Sequence, residues 1–363
     1  MTNGPIAFVR TDDAWEVASA FVIDPDGSNE RAIPGGSTTW SWIYAWNRDG
    51  TKLLMSVGDT WSRPAVVNGD GSGLKVLDAY PGRKMHLSPF GWSADGSRIL
   101  VASGAPDPHP DRPDANVADL GLYTVRASDG GGLRRVSASP DKAEDMVFGI
   151  SADGSRIFVV RVPFGLQDAQ DLPKTEDNEL SLLVINPDGS SSLPLNPRNL
   201  SIFTIDSWDP TSEDLSPDGT TVAFCAQPLP NPDGTANTLF LVNADGTGLR
   251  QLVSPDVGAV SVRWSPDGRH LAFTSKLRSG PQIWVVNADG TGLKQLTDGA
   301  DGSTSITPVW SPDGTKLLYQ RKQGDAVTLW TTTVDGTGQS QLTKTPIAGD
   351  FYGGYAWGAA PTR

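Results

Sequence analysis

The chain is poor in the residue types that most often carry chemistry or anchor a protein. It has one cysteine and three histidines among 363 residues, and no run approaches the roughly 18 apolar residues of a membrane span. A single cysteine excludes an intrachain disulfide. Cys225 lies in the apolar run TVAFCAQ, which is typical of a small buried hydrophobic residue. No H-E-x-x-H, paired C-x-x-C or P-loop occurs in the sequence.

Positive charge is scarce as well. The formal net charge is −13 and the sequence pI is about 4.6, so the surface repels phosphate backbones and anionic lipid. We therefore expect no nucleic-acid binding and no membrane insertion. The first residues, MTNGPIAFVR, lack the basic and apolar segments of a secretory signal. We expect a cytoplasmic monomer as written, or a periplasmic or secreted protein if a leader was removed.

Turn residues and tryptophan are abundant, with 40 Gly, 28 Pro and 12 Trp. The pentapeptide WSPDG stands at 264–268 and 310–314, and looser copies stand at 46–50, 92–96, 150–154 and 215–219. Ser, Pro, Asp and Gly in this order suit a type I turn followed by a left-handed residue. We interpret these Asp-Gly units as structural. The D-x-D-G at 24–27 is half of a calcium loop without its other ligands, so the sequence predicts no cofactor, and Ca²⁺ only if other groups complete the site.

The repeat organises the whole chain into units of about 50 residues. Each pentapeptide is followed by a short apolar run, a second run that ends in another Asp-Gly turn, and a short closing run such as LKQLT at 293–297. Short Val-, Ile-, Leu- and Phe-rich runs bounded by Gly and Asp predict strands, here called A to D in each unit. The chain begins at a strand B and finishes with a lone strand A, YAWGAAP. We predict an all-β fold, a seven-bladed β-propeller of four-stranded antiparallel blades whose C-terminal strand joins the N-terminal blade.

The predicted domain is single and spans residues 1–363. The predicted blades are 4–36 with 353–361 (blade 1), 42–78 (blade 2), 88–137 (blade 3), 146–195 (blade 4), 211–253 (blade 5), 260–297 (blade 6) and 306–343 (blade 7).

The motif W-S-P-D-G, followed by L-A-F-T-S and I-W-V-V-N-A-D-G-T-G-L-K-Q-L-T, resembles the WD-like propeller repeat of the TolB family. The same repeat occurs in propeller domains of prolyl-oligopeptidase-type enzymes and in oligogalacturonate lyases. The resemblance covers nearly the whole chain and implies the fold far more than a function. Among the families that this sequence resembles, TolB proteins have six blades behind an N-terminal domain. The peptidases carry a hydrolase domain, and the lyases carry several metal-binding histidines. This sequence departs from each of these patterns.

Antiparallel strands place the A–B and C–D turns on one side of a blade, the turn side, and the B–C and D–A loops on the other, the loop side. All long insertions fall on the loop side of blades 3 to 5, at 104–119, 163–179, 196–210 and 227–238. Binding residues gather on loops carried by a rigid scaffold, so we expect a ligand site there. Seven tryptophans occupy repeat positions, while Trp15, Trp40, Trp42, Trp61 and Trp208 do not. The expected ligand-binding residues are Trp40, Trp42, Trp61, Phe164, Trp208, Asp209 and Tyr352, although these aromatic side chains could instead pack the loops onto the scaffold.

Acidic residues mark the start of blade 5, where Glu213 stands at a position that holds Tyr, Phe, Val or Pro in the other blades. A buried carboxylate needs a partner; Arg263 of blade 6 could supply it as a structural ion pair, or Glu213 could serve a cation or act as a base. His270 follows a turn and is expected to face solvent. His86 and His109 are the better acid–base candidates. The candidate catalytic residues are therefore His86, His109, Asp206 and Glu213, and no metal ligands are predicted.

Three functions remain open from the sequence. The first is a binding module for a small molecule, glycan, peptide or protein on the loop side of blades 3 to 5. The second is a lyase, hydrolase or cyclase on a small or sugar-like substrate, with a His and carboxylate site in the same place. The third is a scaffold. Because no complete catalytic set is legible, the sequence favours the first.

Overall fold

A computed structural model describes 16 stretches of the chain. They are residues 1–11, 17–38, 41–58, 63–77, 87–93, 95–103, 121–138, 143–151, 153–163, 181–186, 192–196, 200–202, 213–228, 237–276, 280–347 and 354–360. The chain forms two compact units. The first holds Met1–Met146, Asn186–Ser190 and Gly354–Arg363, and the second holds Val147–Ile185 and Ser191–Gly353.

The fold is all-β, and its strands form seven antiparallel sheets, one for each blade of a seven-bladed propeller. Within the described ranges the only helical element is a single 3₁₀ turn at Pro255–Val257. The seven-bladed prediction is therefore confirmed. The short strands follow from runs of β-branched and aromatic residues that Gly-containing turns interrupt.

The first unit carries blades 1 to 3. Blade 1 consists of β1 (Asn3–Thr11), β2 (Ala18–Ile23), β3 (Arg31–Thr38) and the C-terminal strand β29 (Tyr355–Ala359). Blade 2 consists of β4 (Trp42–Trp46), β5 (Lys52–Val57), β6 (Arg63–Asn68) and β7 (Lys75–Val76). Blade 3 consists of β8 (Leu87–Trp92), β9 (Arg98–Ser103), β10 (Gly121–Arg126) and β11 (Arg134–Ala138).

The second unit carries blades 5 to 7 and most of blade 4, whose residues Ala143–Met146 and Asn186–Ser190 belong to the first unit. Blade 4 consists of β12 (Ala143–Ile150), β13 (Ile157–Pro163), β14 (Ser181–Ile185) and β15 (Ser192–Pro194). Blade 5 consists of β16 (Leu200–Ile202), β17 (Glu213–Leu215), β18 (Thr221–Pro228), β19 (Thr238–Asn243) and β20 (Arg250–Gln251). Blade 6 consists of β21 (Ala259–Trp264), β22 (His270–Ser275), β23 (Gln282–Asn287) and β24 (Lys294–Gln295). Blade 7 consists of β25 (Thr304–Trp310), β26 (Lys316–Gln323), β27 (Ala326–Thr333) and β28 (Ser340–Gln341).

Blade 1 is assembled from both ends of the chain. The C-terminal strand β29 pairs antiparallel with β1, and Trp357 lies opposite Ile6. The Trp357 indole Nε1 donates to the Gly4 carbonyl at 3.1 Å. The predicted joining of the C-terminal strand to the N-terminal blade is confirmed, and it removes two exposed strand edges from the first unit.

The repeated pentapeptide forms the turn that its residues predict. In WSPDG of blade 7, the Ser311 hydroxyl donates to Asp313 Oδ1 at 2.7 Å, and the same Oδ1 accepts the Thr315 backbone N–H at 3.0 Å. Gly314 takes a φ of 72°, a value that costs glycine little. The turn thus uses its own carboxylate, which supports the structural interpretation of the Asp-Gly units.

A second repeated contact joins neighbouring blades on the turn side. A cationic side chain on the fourth strand of one blade donates to a carbonyl in the C–D turn of the next. Lys294 Nζ reaches the Asp335 carbonyl and Lys75 Nζ reaches the Ser128 carbonyl, each at 2.7 Å. Between adjacent blades the apolar faces meet, as where Phe158 of blade 4 and Phe224 of blade 5 share one core cluster. Such burial contributes about 25 cal/mol per Å² of apolar surface.

Candidate functional site

The structure describes two of the eleven predicted site residues, Glu213 and Trp42. The other nine lie outside the described residues, and they are His86, His109, Asp206, Trp40, Trp61, Phe164, Trp208, Asp209 and Tyr352. Trp42 is the first residue of β4, pairs with Ser56 and is half-buried. It belongs to the first unit, whereas Glu213 belongs to the second. Glu213 and its neighbours in the second unit therefore form the candidate site.

The first strand of blade 5 is split into two pieces, β16 and β17, which both pair with β18. Ile202 at the end of β16 lies opposite Ala226, and Glu213 at the start of β17 lies opposite Phe224. Ile202 and Glu213 are separated by ten residues along the chain, 203–212, whereas their partners on β18 are separated only by Cys225. Three predicted site residues lie in this segment, namely Asp206, Trp208 and Asp209.

Blades 6 and 7 have a short β-bulge where blade 5 has the long segment. In blade 6, Ala259 lies opposite Ser275 and the register shifts between Val260 and Arg263. The bulge residue Ser261 takes a φ of 54°, and Thr307 of blade 7 takes 52°, a region that side chains rarely adopt. Two residues of blade 6, Val260 and Ser261, thus match ten in blade 5, so the insertion amounts to eight residues.

The sequence prediction placed 196–210 wholly within a D–A connection, and the structure differs over Leu200–Ile202. These residues form β16 because Leu200 and Ile202 alternate with a serine and are 4% and 3% exposed in the core between blades 4 and 5. The insertion consequently begins inside the first strand of blade 5. Segments inserted at bulges can redirect side chains near binding sites without disturbing the rest of a sheet.

Glu213 is the first residue after the insertion and is only 1% exposed. Its carboxylate contributes to the environment of Cys225 on the adjacent strand. Burial, with a further contribution from the Glu213 charge, raises the pKa of the Cys225 thiol well above its usual range. Cys225 is therefore a buried thiol of low reactivity, in agreement with its position in an apolar run.

Asp214, the next residue after Glu213, supplies a second carboxylate at this position of blade 5. Its Oδ2 accepts the Trp264 backbone N–H at 2.6 Å, and its Oδ1 accepts the Leu215 N–H at 3.1 Å. Burial raises the pKa of Asp214 to about 6, although the Arg263 charge and these two hydrogen bonds act in the opposite direction. A carboxyl group of this pKa changes its charge between mildly acidic and neutral pH.

Arg263 of blade 6 lies beside both acidic residues. Its Nη1 donates to the Val262 carbonyl at 2.9 Å and reaches the Glu213 main-chain carbonyl at 3.5 Å. Its charge lowers the pKa of Asp214. The sequence pointed to Arg263 as a partner of Glu213. The structure adds Asp214 as a carboxylate that this guanidinium stabilises.

The sequence itself distinguishes Asp214, although this residue is not among the predicted site residues. The residue before the repeat tryptophan is Ala45, Gly91, Gly149, Arg263, Val309 or Ala356 in the other blades. In blade 5 it is an acidic residue. Comparison of that one column of the repeat would have selected it.

The repeat tryptophans show what Asp214 replaces. Trp46, Trp92 and Trp310 each donate their indole Nε1–H to a main-chain carbonyl on the first strand of the preceding blade, at 3.1–3.2 Å. For Trp310 the acceptor is the Arg263 carbonyl. Trp264 is 8% exposed, and its Nε1 has no hydrogen-bond partner among the residues the structure describes. At this junction a side-chain carboxylate bonds the tryptophan backbone instead.

The described residues offer no ready metal site. No group of three or more His, Cys, Asp or Glu side chains is arranged to hold a metal ion within the described stretches. The His270 side chain is 44% exposed, with Nδ1 3.8 Å from Asp267 Oδ1, consistent with the solvent-facing place expected for it. A search of the same stretches for a helix with the length and apolar character of a membrane span finds none.

Comparisons with known proteins agree with this fold. Residues 207–349 match the family model described as the TolB beta propeller domain. A comparison with curated proteins finds no match. Among solved structures, an oligogalacturonate lyase in complex with manganese is 16% identical, with a TM-score of 0.61, and the match covers 94% of this chain and 86% of that one.

Two further solved structures are larger than this chain. Puromycin hydrolase is 12% identical with a TM-score of 0.66, and the match covers 95% of this chain and 53% of that one. TolB from Acinetobacter baumannii is 14% identical with a TM-score of 0.56, and the match covers 98% of this chain and 66% of that one. The chain thus spans about half the length of the hydrolase. Likeness at these identities establishes the fold, and the propeller is TolB-like in its repeat.

Proposed function

We propose that the protein is a ligand-binding module whose binding element is the segment 203–212 of blade 5. The observation that carries the proposal is the split first strand of blade 5, in which ten residues stand where blade 6 has two, Val260 and Ser261. Both ends of the segment are held in register on β18, so a scaffold fixes where it leaves and returns. Loops with such fixed ends are favoured places for recognition residues.

The chemistry of the segment suits a small polar ligand, a glycan or a peptide. Trp208 offers an aromatic surface for a sugar ring or an apolar side chain, while Asp206 and Asp209 offer hydrogen-bond acceptors. The insertions at 163–179 and 227–238 belong to the same unit, and we expect them to add to the loop side of blades 4 and 5. The turn side provides a contrast, since its aspartates are occupied by their own turns.

Deletion of residues 203–210 tests this proposal. The deletion leaves Thr211 and Ser212 between Ile202 and Glu213, as Val260 and Ser261 stand between Ala259 and Val262 in blade 6. We expect a folded protein that has lost binding. The probes are glycan and peptide arrays, followed by titration calorimetry on any probe retained by the full chain.

Two point variants separate the binding element from general damage. Trp208→Ala is expected to weaken binding at least tenfold, since an anchor aromatic side chain typically contributes more than 1.4 kcal/mol. Leu293→Ala changes an exposed leucine of blade 6 and is the control that keeps full affinity. Unchanged binding by the folded deletion variant would show that the segment is not the binding element.

An enzymatic role for the same region, as a lyase, hydrolase or cyclase, is the second candidate. The observation in its favour is the Asp214 carboxyl with a pKa of about 6 at the base of the segment, a value suited to proton transfer. His86 or His109 would act as its partner together with Asp206 or Glu213. Incubation with polygalacturonate and with chromogenic esters and amides tests this role. Turnover that His86→Ala or Glu213→Gln abolishes would establish an enzyme, and no turnover supports binding alone.

Bound Ca²⁺ and a monomeric state also remain proposals. A thermal shift between CaCl2 and EDTA tests the first, and light scattering tests the second. A rise in Tm of several degrees with Ca²⁺ would indicate a metal site that the described residues do not provide.

A further inference from the structure

The junction between blades 5 and 6 is built differently from the junctions made by Trp46, Trp92 and Trp310. Strand β17 is only three residues long and follows the inserted segment. The Trp264 Nε1 is buried without a partner among the described residues, whereas Trp310 donates its Nε1 to blade 6. Across the first strands of blades 5 and 6, the Asp214 carboxylate accepts the Trp264 backbone N–H, and Arg263 Nη1 reaches the Glu213 carbonyl.

We propose that this junction is the place where the second unit opens locally, and that ionised Asp214 favours the open arrangement while protonated Asp214 favours the closed one. Opening means separation of β17 from β21, so that water reaches Asp214 and the Trp264 indole. The inference does not depend on the identity of any ligand or on the binding role of segment 203–212.

The geometry of this junction lowers the free energy needed to open it relative to the junction between blades 6 and 7. A buried donor that lacks a partner destabilises the closed junction, and opening lets water satisfy the Trp264 Nε1. The same exposure at blade 7 would break the Trp310 hydrogen bond to Arg263. Regions with short strands and few satisfied polar groups open before the rest of a protein. The blade 6–blade 7 junction is therefore the natural reference.

The dependence on protonation follows from the surroundings of Asp214. The charged group that acts on Asp214 is Arg263 on β21; Glu213, next to Asp214 on β17, acts together with Arg263 on the Cys225 thiol of β18. Burial outweighs the favourable Arg263 charge and holds the pKa of Asp214 near 6 in the closed junction, against about 3.9 for a solvated aspartate. The closed state therefore binds the proton more tightly, so a rise in pH shifts the equilibrium toward opening. Between pH 4.5 and 7.0 these values give roughly a 20-fold change in the opening equilibrium.

Hydrogen exchange on the full chain tests the inference. Exchange is measured at pH 4.5 and pH 7.0, and each rate is divided by the intrinsic rate at that pH. We expect the protection of peptides over 259–265 to fall roughly 20-fold at the higher pH. Peptides over 305–311 of blade 7 should change less than threefold. Equal protection of the two peptides at both pH values would overturn the proposal.

Two further measurements test whether Asp214 is the group responsible for the pH dependence. Asp214→Asn is expected to remove the pH dependence at 259–265; retention of that dependence would assign it to another group. If the variant does not fold, the unmodified chain carries its own probe in Cys225, its single thiol, which is 1% exposed and shares a core cluster with Trp264. Labelling with iodoacetamide, normalised to a model thiol at each pH, should accelerate about as much as exchange does. A normalised labelling rate that is independent of pH would contradict the role of Asp214.

Discussion

The junctions on either side of blade 6 use the same kind of residue in two ways. On the blade 7 side, Trp310 bonds through its indole to the main chain of blade 6 at 3.1 Å. On the blade 5 side, Trp264 bonds through its main chain to a carboxylate at 2.6 Å, and its indole has no partner among the described residues. The hydrogen bond of the first junction joins two neutral groups, whereas that of the second involves a carboxyl group whose pKa burial raises to about 6. A repeat can thus keep its shape while one copy exchanges a neutral hydrogen bond for a charged one.

Replacement of a junction tryptophan by alanine should give the largest change in the free energy of unfolding. Trp310 is 7% exposed and packs in the core between blades 6 and 7. Trp310→Ala is expected to lower the free energy of unfolding by about 4 kcal/mol, through lost packing and a cavity. Urea denaturation followed by fluorescence measures it. Trp264→Ala is the matched change and should cost less, because no indole hydrogen bond is lost there.

Replacement of Asp214 should give the next largest effect. Ionisation of Asp214 is disfavoured in the folded state, so the unmodified protein loses stability as pH rises from the unfolded pKa near 3.9 through the folded pKa near 6. Relative to the unmodified protein, Asp214→Asn should gain about 2 kcal/mol of unfolding free energy between pH 4 and pH 7. Parallel urea titrations across this range measure the gain. A constant difference at all pH values would show that the Asp214 pKa is not raised.

Replacement of each of the two tryptophans by phenylalanine tests the contribution of the indole hydrogen bond. Trp310→Phe removes a satisfied hydrogen bond and leaves the Arg263 carbonyl without its donor, at a cost of about 1–2 kcal/mol beyond packing. Trp264→Phe removes a donor that has no described partner, so only the packing change remains. The difference between the two variants, measured by chemical denaturation, should therefore favour Trp264→Phe by about 1 kcal/mol. Equal losses would mean that the indole bond contributes little to the junction.

The smallest expected effect concerns Tyr319 of blade 7, which is completely buried and faces blade 6. Its hydroxyl has no hydrogen-bond partner within the described part of the chain, and burial raises its pKa to about 12. Phe273 occupies the corresponding position of blade 6. Tyr319→Phe should therefore be neutral or stabilise by up to about 1 kcal/mol, as a shift in Tm would show. A clear loss of stability would reveal a partner for the hydroxyl.

The sequence was informative about the fold because each turn and strand of the repeat is determined by a few neighbouring residues. Ser or Asn, Asp and Gly in one pentapeptide specify a turn whatever surrounds them, and six copies together with the lone C-terminal strand specify seven blades. The sequence was less informative about blade 5, because Leu200–Ile202 is too short to be recognised as a strand apart from its partner β18. The contact of Asp214 with Trp264 joins residues 50 positions apart, which no local pattern encodes. Of the predicted site residues, only Glu213 and Trp42 fall within the described stretches, so the other nine remain predictions.

The turns also explain the charge of the protein. At least fourteen aspartates accept the backbone N–H of the residue two positions ahead, and they are Asp26, Asp49, Asp70, Asp95, Asp129, Asp153, Asp218, Asp245, Asp267, Asp289, Asp298, Asp301, Asp313 and Asp335. They account for a third of the 42 acidic residues. Much of the net charge of −13 is therefore a by-product of chain reversal, added blade by blade. The low isoelectric point of such a protein therefore reflects the number of turns in its backbone.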